Sequence, residues 1–404
     1  MSTTQISPIQ KPFNVHLSLP GSKSLTNRAL MMAALCEEKS VLENLLTSDD
    51  ADACREAIQQ LTTKRQIHCH DAGTVARFLL PVCAALGGEY HFDASSRLRE
   101  RPIQPLIQIL QQQGVRFDFL ESPRQMPFVV HSSGLPGGNI AIDISDSSQF
   151  LSGLCMAAPL TKQGMIIQTN ASIAKKPYVL MTLKLMQQFG IAYQYHNELT
   201  LEIFPGQYQA THLTIEPDAS TASYFFAAAA LTQSTIHIKD LTSESCQGDL
   251  KFLDLLEKIG CRIHQTTSET SVTGPERLQS LGEINMSGFT DTFMTLAIIA
   301  PFLPTPTTIH GLRHTRLQES DRVAAVSDGL MRLGIQTASS EDSLTIFPAP
   351  PQSNTIIHSH HDHRIAMAFS ILGLKIPGIS IEHAKCVSKT CPLFFQYLGE
   401  LNVQ

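Results

Sequence analysis

The stretch EPDASTASYFFAAAAL, residues 216–231, decides the fold. A short polar opening leads into about three turns of Ala-rich, apolar sequence, which predicts a helix buried on all sides. The same design recurs as PGSKSLTNRALMMAAL from Pro20, HDAGTVARFLLPVCAAL from His70, SDSSQFLSGLCMAAPL from Ser145, SGFTDTFMTLAIIAPF from Ser287 and HDHRIAMAFSILGL from His361. The spacings are 50, 74, 72, 72 and 71 residues between the anchors Lys23, Gly73, Ser147, Ala219, Asp291 and Asp362. The sequence therefore predicts six repeated units with a period of about 72 residues, the first truncated by about 20.

A second, amphipathic helix recurs in the same frame and is followed by glycine, which is common just after a helix C-cap. The segments are LIQILQQQG, LKLMQQFG, LLEKIG and GLMRLG, ending at Gly114, Gly190, Gly260 and Gly334. Alternating segments such as LTLEIFP and LTIFP predict strands between the helices. We therefore predict α/β units with the apolar helices buried and the amphipathic helices and sheets outside. A chain of 404 residues has room for two or three domains.

Composition narrows the functional class. Charged residues are 16% and apolar residues 43%, which argues against a long disordered tail. The net charge of −6 provides no general attraction for nucleic acid or an anionic membrane. Nine cysteines without a C-x-x-C pair, no secretory signal and no apolar run of 18 residues favour a reduced, cytoplasmic protein.

The polar openings place cations where six helices begin. If these N-termini converge, their N–H groups and positive dipole ends form an anion site. Cations in or beside the openings are Lys23, Arg28, Arg77, Arg101, Arg322, Arg364 and Lys389. Each alone is as well explained by a surface ion pair. Together they indicate a ligand with several phosphates or carboxylates.

Two carboxylates are candidates for proton transfer, each with a structural alternative. Glu319 precedes Arg322 by three residues, which suits either one helix face or a capping pair. Asp291 is either an N-cap or a sheltered base. The tract HSHHDHR, residues 358–364, lacks the second ligand pair of a convincing zinc site, and we favour solvated histidines plus one site histidine, His363. The sequence contains no P-loop motif for phosphate, no dinucleotide-binding fingerprint and no G-x-S-x-G elbow of a serine hydrolase.

Nine ordered motifs together resemble the 5-enolpyruvylshikimate-3-phosphate (EPSP) synthase family, from about residue 13 to 398. They are PGSKSLTNRAL, DAGTVAR, RLRERPI, SSQFLSGLCMAAPL, KKPYVLMTLKLMQQFG, PDASTASYFFAAAAL, RLQESDR, DHRIAMAFS and KTCPLFF. The resemblance implies two similar domains of three α/β units each, spanning residues 21–215 and 1–20 plus 216–404, with hinge crossings near 20 and 216. It also implies an active site in the interdomain cleft, domain closure and no cofactor or metal. The implied reaction moves the enolpyruvyl group of phosphoenolpyruvate to the 5-hydroxyl of shikimate 3-phosphate through a tetrahedral intermediate, and we expect a monomer.

The resemblance also implies roles for individual residues. The catalytic set is Lys23, Asp291, Glu319 and the supporting His363. The phosphoenolpyruvate set is Lys23, Gly73, Arg101, Gln149, Arg322, Arg364 and Lys389. The shikimate 3-phosphate set is Lys23, Ser24, Arg28, Ser147, Ser148, Gln149, Lys175, Tyr178, Asp291, His314 and Gln318. Asp291 would take the hydroxyl proton and Glu319 would exchange the C3 proton.

Four positions depart from the family pattern: Asp71 for asparagine, Lys175 for serine, His314 for asparagine and Gln318 for lysine. We hypothesise that Lys175 replaces the charge lost at Gln318, against the alternative that it points to solvent.

Rival functions are a UDP-N-acetylglucosamine enolpyruvyl transferase, an RNA-terminal phosphate cyclase and a binding protein without catalysis. Residues 94–100 contain no cysteine, which disfavours the first, and the negative net charge disfavours the second. Retention of Lys23, Asp291, Glu319, Arg322 and Lys389 disfavours the third.

Overall fold

The structure is a computed structural model that describes residues 3–63, 65–145 and 147–402. Its α-helices are α1 (Lys23–Ala34), α2 (Asp49–Thr63), α3 (Gly73–Leu86), α4 (Ser96–Arg99), α5 (Gln104–Gln112), α6 (Gln149–Ala157), α7 (Pro177–Gln188), α8 (Ala219–Thr232), α9 (Phe252–Lys258), α10 (Phe293–Ile299), α11 (Arg322–Arg332), α12 (His363–Gly373) and α13 (Phe394–Glu400). None of the helices in this described part is long and apolar enough to cross a membrane.

The first half of the chain holds the strands β1 (Thr3–Gln5), β2 (Asn14–Leu17), β3 (Val41–Glu43), β4 (Gln66–His68), β5 (Gly88–Asp93), β6 (Arg116–Phe119), β7 (Phe128–Ser132), β8 (Gly138–Ile142), β9 (Met165–Thr169), β10 (Tyr193–Asn197) and β11 (Thr200–Ile203). The second half holds β12 (His212–Thr214), β13 (Thr235–Lys239), β14 (Arg262–Gln265), β15 (Glu269–Thr273), β16 (Glu283–Asn285), β17 (Thr307–His310), β18 (Thr337–Ser339), β19 (Ser343–Ile346), β20 (Ile356–His358) and β21 (Ser380–Glu382).

The chain divides into two compact units, one of residues 21–215 and the other of residues 1–20 with 216–404. Residues 1–2 and 403–404 lie outside the described residues. The assignment of three α/β repeats to each unit, the hinge role of the crossings and the interdomain cleft stay predictions.

The unit of residues 21–215 has two four-stranded sheets, β4-β5-β7-β6 and β10-β11-β9-β8, and the pair β12-β3. The short pair β12-β3 is consistent with the truncated first repeat. Helices α3 and α6 form the centre and are buried along nearly all of their length. They pack closely at Gly153, where a Cβ atom would lie 2.2 Å from the Arg77 carbonyl oxygen. This close approach sets the start of α6 beside the first turns of α3.

The other unit has the sheets β14-β15-β13-β2, β16-β17-β19-β18 and β1-β21-β20. Its buried centre is made of α8, α10 and α12, as their uniformly apolar sequences predicted. Small residues on α8 let its neighbours approach, and the Ser223 and Thr295 hydroxyls of α8 and α10 lie 3.0 Å apart. The amphipathic helix α11 buries Val323, Val326 and Leu330 along one side.

The glycines after the amphipathic helices adopt the left-handed conformation that the sequence predicted. The φ angles are +90° at Gly114, +80° at Gly190, +102° at Gly260 and +76° at Gly334. After each glycine, the next residue donates a hydrogen bond back to the preceding helix, as Val115 does to Leu110 at 3.0 Å. This is the Schellman arrangement, which requires a residue that tolerates positive φ.

Candidate active site

Arg322 is the centre of a buried charge cluster in the unit that contains α11. Its side chain is 2% exposed, and Nε donates to Asp362 Oδ2 at 2.8 Å. Asp362 is fully buried and also caps α12, accepting from the Arg364 N–H at 2.9 Å. Burial acts to lower the pKa of Arg322, but the charges of Asp362, Glu319 and Asp291 outweigh it and raise the pKa. The guanidinium therefore stays charged and fixes the carboxylates around it.

Asp291 lies in a single 3-10 turn, Thr290–Thr292, directly before α10. Its Oδ2 accepts from Arg364 Nη2 at 2.6 Å and its Oδ1 from Arg322 Nη1 at 3.3 Å. The N-cap alternative is wrong, because Phe289 occupies the N-cap position of this turn and Thr292 that of α10. The Asp291 side chain is 18% exposed and contacts two guanidinium groups. Their positive charges favour the charged form of the carboxylate.

Glu319 accepts from Arg322 Nη2 at 2.8 Å through Oε2, and its Oε1 lies 3.7 Å from Lys389 Nζ. The prediction that Glu319 and Arg322 share a helix face or form a capping pair is wrong, because α11 begins only at Arg322 and Asp321 is its N-cap. Glu319 thus sits in the loop before the helix. Its carboxylate is 15% exposed and has cations on two sides.

Three other residues of this unit that were predicted to belong to the site lie in or next to the Arg322 cluster. Gln318 Oε1 accepts from Arg322 Nη1 at 2.5 Å, so the amide faces the guanidinium. His314 Nε2 lies 3.0 Å from the Thr290 hydroxyl, next to Asp291. His363 is fully buried at the start of α12.

In the unit of residues 21–215, Lys23 opens α1 and its Nζ lies 3.2 Å from Asp50 on α2. Helices α1, α3 and α6 all begin without a side-chain cap hydrogen bond. Helix N-termini of this kind are suited to bind anions through backbone N–H groups and the helix dipole.

Gly73 opens α3 beneath two arginines. A Cβ atom here would lie 2.9 Å from Arg77 Nη1 and 3.1 Å from Arg101 Nη1, so the missing side chain leaves space for both guanidinium groups. Within the described residues, the buried Arg101 Nε has no hydrogen-bond partner. An arginine with an unused buried donor at a helix N-terminus is suited to an anionic ligand.

Gln149 is fixed by Arg77, which the sequence marked only as one of the cations at the helix openings and gave no individual role. Arg77 Nη1 donates to Gln149 Oε1 at 2.8 Å, and Nε and Nη2 donate to the Pro102 carbonyl at 3.2 and 2.9 Å. Ser147 and Ser148 are half-buried at the start of α6, and the Ser147 hydroxyl accepts from the Gln149 N–H at 3.2 Å. Arg77 thus joins the Arg101 loop to the start of α6.

Arg28 is buried among three helices. Its guanidinium donates to the Thr182 hydroxyl at 2.7 Å, the Ser24 carbonyl at 2.8 Å and the Tyr178 carbonyl at 3.1 Å. Arg28 is 1% exposed, whereas Ser24 and Tyr178 are half-buried. Arg28 therefore fixes the starts of α1 and α7 in addition to any role with a ligand.

Lys175 is exposed at the end of a 3-10 turn, Ile173–Lys175. Its neighbour Lys176 is half-buried, and burial lowers the pKa of Lys176 although nearby Asp143 acts to raise it. The exposure agrees with the solvent alternative for Lys175 in the described conformation, and the substrate role stays a prediction.

The histidine tract of residues 358–364 forms no metal-ligating group within the described part of the chain. His358 pairs with Glu382, His360 Nε2 lies 3.5 Å from Asp328, and His361 stacks on His383. The tract therefore spreads its side chains over separate partners.

Tyr224 and Asp362 are further members of the cluster that the sequence did not mark for function. Burial raises the pKa of Tyr224, and nearby Arg364 acts in the opposite direction. Tyr224 lies within the apolar stretch of residues 216–231, and hydrophobic periodicity cannot show that its hydroxyl lies beside Arg364. The signal that the sequence offered was a tyrosine hydroxyl in a helix expected to be buried, since a buried tyrosine hydroxyl usually has a polar partner.

Comparison with solved structures identifies the fold as that of enolpyruvyl transferases. The EPSP synthase from Acinetobacter baumannii matches with a TM-score of 0.83 at 21% identity, covering 100% of this chain and 98% of that one. The enolpyruvyl transferase NikO from Streptomyces tendae matches with a TM-score of 0.78 at 17% identity, covering 98% and 96%.

Sequence comparison defines the family. The sequence model of EPSP synthase (3-phosphoshikimate 1-carboxyvinyltransferase) matches residues 8–68 and 59–398. A 3-phosphoshikimate 1-carboxyvinyltransferase from Nostoc punctiforme is 40% identical over 98% of both chains. A protein named 3-phosphoshikimate 1-carboxyvinyltransferase 2, from Halalkalibacterium halodurans, is 37% identical over 100% of this chain and 95% of its own length. The chain belongs to the EPSP synthase family and is an enzyme of the enolpyruvyl transferase class.

Proposed function

We propose that the protein transfers the enolpyruvyl group of phosphoenolpyruvate to the 5-hydroxyl of shikimate 3-phosphate and releases phosphate, a step toward chorismate and the aromatic amino acids. Full-length similarity to proteins that carry this activity in their names supports the proposal. The observation that carries it chemically is the pair of carboxylates, Asp291 and Glu319, held by one buried guanidinium, Arg322.

The reaction as proposed is an addition followed by an elimination. Asp291 takes the proton of the 5-hydroxyl as the hydroxyl oxygen attacks C2 of phosphoenolpyruvate. Glu319, which enters the cycle as the carboxylic acid, gives its proton to C3. The tetrahedral ketal then loses phosphate, and Glu319 takes a proton back from C3 to form the enol ether. The proton first taken by Asp291 leaves with inorganic phosphate. Two carboxylates held apart by a fixed cation can perform these two transfers without exchanging roles.

Binding of phosphoenolpyruvate is assigned to a set of lysines and arginines together with Gly73 and Gln149. Lys23, Gly73, Arg101 and Gln149 are proposed from one unit, and Arg322, Arg364 and Lys389 from the other. The uncapped start of α3 and the Arg101 donor support the first set. Lys23 would also contact shikimate 3-phosphate, so that it bridges the two substrates and assists the reaction. The lysines and arginines of both sets supply the positive charge that phosphate and carboxylate groups require, so the reaction as proposed uses no metal or cofactor.

Binding of shikimate 3-phosphate is assigned to polar groups at or near the starts of α1, α6 and α7 and to residues in or beside the buried charge cluster around Arg322. The proposed contacts are Ser24, Arg28, Ser147, Ser148, Gln149, Lys175, Tyr178, Asp291, His314 and Gln318. His363 is proposed to support the catalytic groups from its buried position. We further propose a cytoplasmic monomer without a nucleic-acid or membrane partner, in keeping with the net charge of −6.

Phosphate release from the purified protein tests this function. Shikimate 3-phosphate with phosphoenolpyruvate should release one phosphate per enol ether formed, as mass spectrometry of the product can verify. Each substrate alone is the control and should release none. If UDP-N-acetylglucosamine replaces shikimate 3-phosphate with equal efficiency, the rival transferase is correct. If the protein binds both substrates but releases no phosphate, it is a binding protein.

Gly73→Ala should raise the Michaelis constant for phosphoenolpyruvate about 10-fold and change that for shikimate 3-phosphate little. The new methyl group would displace the Arg77 and Arg101 guanidinium ends, and one weakened charge-assisted hydrogen bond accounts for about that factor. Gly206→Ala is the matched control, because its Cβ would make only an ordinary 3.6 Å contact with Ile191. An unchanged Michaelis constant in Gly73→Ala would remove Arg101 from the phosphoenolpyruvate site.

Lys175→Ser should raise the Michaelis constant for shikimate 3-phosphate about 10- to 100-fold, since one charge-assisted hydrogen bond contributes roughly 1.5–3 kcal/mol. Gln318→Lys alone should help only slightly, and the double variant should recover most of the loss. Steady-state kinetics of the four proteins measures this coupling. Lys162→Ser, at another exposed lysine of the same unit, should change nothing. Strictly additive effects at the two positions would instead place Lys175 in solvent.

A further inference from the structure

One face of the sheet β14-β15-β13-β2 carries a row of imidazoles that the proposed reaction does not use. His16 on β2 pairs in register with His237 on β13, and His237 pairs with Ser271 on β15. Glu269 lies two residues before Ser271 and therefore projects from the same face. This face points away from the core, because the alternate residues of β2 and β13 are the buried ones.

The two imidazoles converge on one carboxylate. Their rings stack with centroids 4.0 Å apart and an interplanar angle of 13°. His237 Nδ1 lies 2.9 Å from Glu269 Oε1, and His16 Nδ1 lies 3.6 Å from Glu269 Oε2. One potential ligand atom from each of the three residues lies within 4.8 Å of the other two. Among the described residues, the group of three or more histidine, cysteine, aspartate or glutamate side chains with this spacing consists of His16, His237 and Glu269.

We propose that His16, His237 and Glu269 bind a divalent transition-metal ion, with zinc as the expected ion. Two imidazole nitrogens and a carboxylate oxygen are a common ligand set for zinc, and water would complete the coordination. The site would be structural, since it joins β2, which precedes the crossing at Pro20, to β13 and β15.

The separations suit a shared ion better than a direct hydrogen bond at His16. Ligand atoms on a tetrahedral zinc ion with bonds of about 2.0–2.1 Å lie about 3.4 Å apart. The His16–Glu269 separation of 3.6 Å is near that value and too long for a good hydrogen bond. The His16 side chain is 67% exposed, so its ring can turn toward an ion without disturbing the core. The His237–Glu269 hydrogen bond would be exchanged for two metal–ligand bonds.

The test uses the full-length protein without an affinity tag, freed of metal with a chelator. Calorimetric titration with Zn²⁺ should show one site per chain, and Co²⁺ should give the visible absorption of a low-coordinate nitrogen–oxygen site. His16→Gln, His237→Gln and Glu269→Gln should each weaken Zn²⁺ binding at least 10-fold. His196→Gln is the matched control, because His196 also faces a glutamate, Glu202 at 2.8 Å, yet belongs to no three-ligand group in the described chain.

A thermal readout separates metal binding from misfolding. Zn²⁺ should raise the unfolding temperature of the wild type in a concentration-dependent way, because a ligand of the native state stabilises it by mass action. Without metal, the variants should unfold near the wild-type temperature. The proposal is overturned if a His16→Gln/His237→Gln double variant binds Zn²⁺ as the wild type does. It is equally overturned if the wild type binds none, in which case Glu269 serves only to pair with the stacked imidazoles.

Discussion

Glu319→Gln should lower turnover about 10²–10⁴-fold while changing both Michaelis constants little. The amide keeps the shape of the side chain and can still accept from Arg322 Nη2, but it can neither give nor take the C3 proton. Because the lost interaction belongs to the transition state, the effect should fall on kcat and on kcat/KM together. Transfer of solvent deuterium into the C3 hydrogens of phosphoenolpyruvate should decrease in parallel, which links the loss to proton exchange.

Glu341→Gln is the control for that variant. Glu341 lies in the same unit, is 71% exposed and pairs with Arg313 at 3.1 Å, so its loss should leave turnover unchanged. Near-normal turnover in Glu319→Gln would reduce Glu319 to an ion-pair partner of Arg322 and Lys389. The proposed proton route would then be wrong, although the family assignment would stand.

Arg322→Ala should destabilise its unit by about 3–5 kcal/mol and abolish phosphoenolpyruvate binding. The substitution leaves Asp362 buried without its main countercharge and removes the cation shared by Asp291 and Glu319. Urea unfolding followed by circular dichroism measures the first effect, and calorimetric titration with phosphoenolpyruvate measures the second.

Arg332→Ala is matched to Arg322→Ala because both arginines lie on α11. Arg332 pairs with Asp328 at 2.8 Å on the exposed side of the helix, and such a pair contributes only about 0–1 kcal/mol. Adding Asp362→Asn to Arg322→Ala should return part of the lost stability, since it removes the stranded charge. Equal stability of Arg322→Ala and Arg332→Ala would contradict the view of Arg322 as the centre of the cluster.

The local structure followed from the sequence because its causes are local. The glycines after α5, α7, α9 and α11 adopt positive φ as predicted, since a helix end needs a residue that accepts this conformation within a few positions. The burial of α8 followed from a stretch with no polar side to expose. The motif order was equally informative, and the family it indicated is confirmed by full-length relatives.

Contacts between side chains that are far apart in the sequence could not be predicted from local sequence patterns. The three-residue spacing suggested that Glu319 and Arg322 share a helix face or form a capping pair, but Asp321 is the N-cap of α11 and Glu319 lies in the preceding loop. Asp291 and Asp362 both reach Arg322, from the turn before α10 and from the cap of α12, because these helix starts pack together. Arg77 was only one of several cations until the packing of α3 on α6 at Gly153 aimed it at Gln149.

By itself, the sequence determined the burial of the apolar helices, the glycines that end the amphipathic helices, the family and the types of residue that the reaction needs. Only the tertiary structure decided which charge neutralises which, and that His16, His237 and Glu269 meet on one sheet face. The physical reason is range: backbone preferences and side-chain periodicity act within a few residues. Strand register and helix packing result from interactions summed over a whole unit, so they bring together side chains with no relation along the chain.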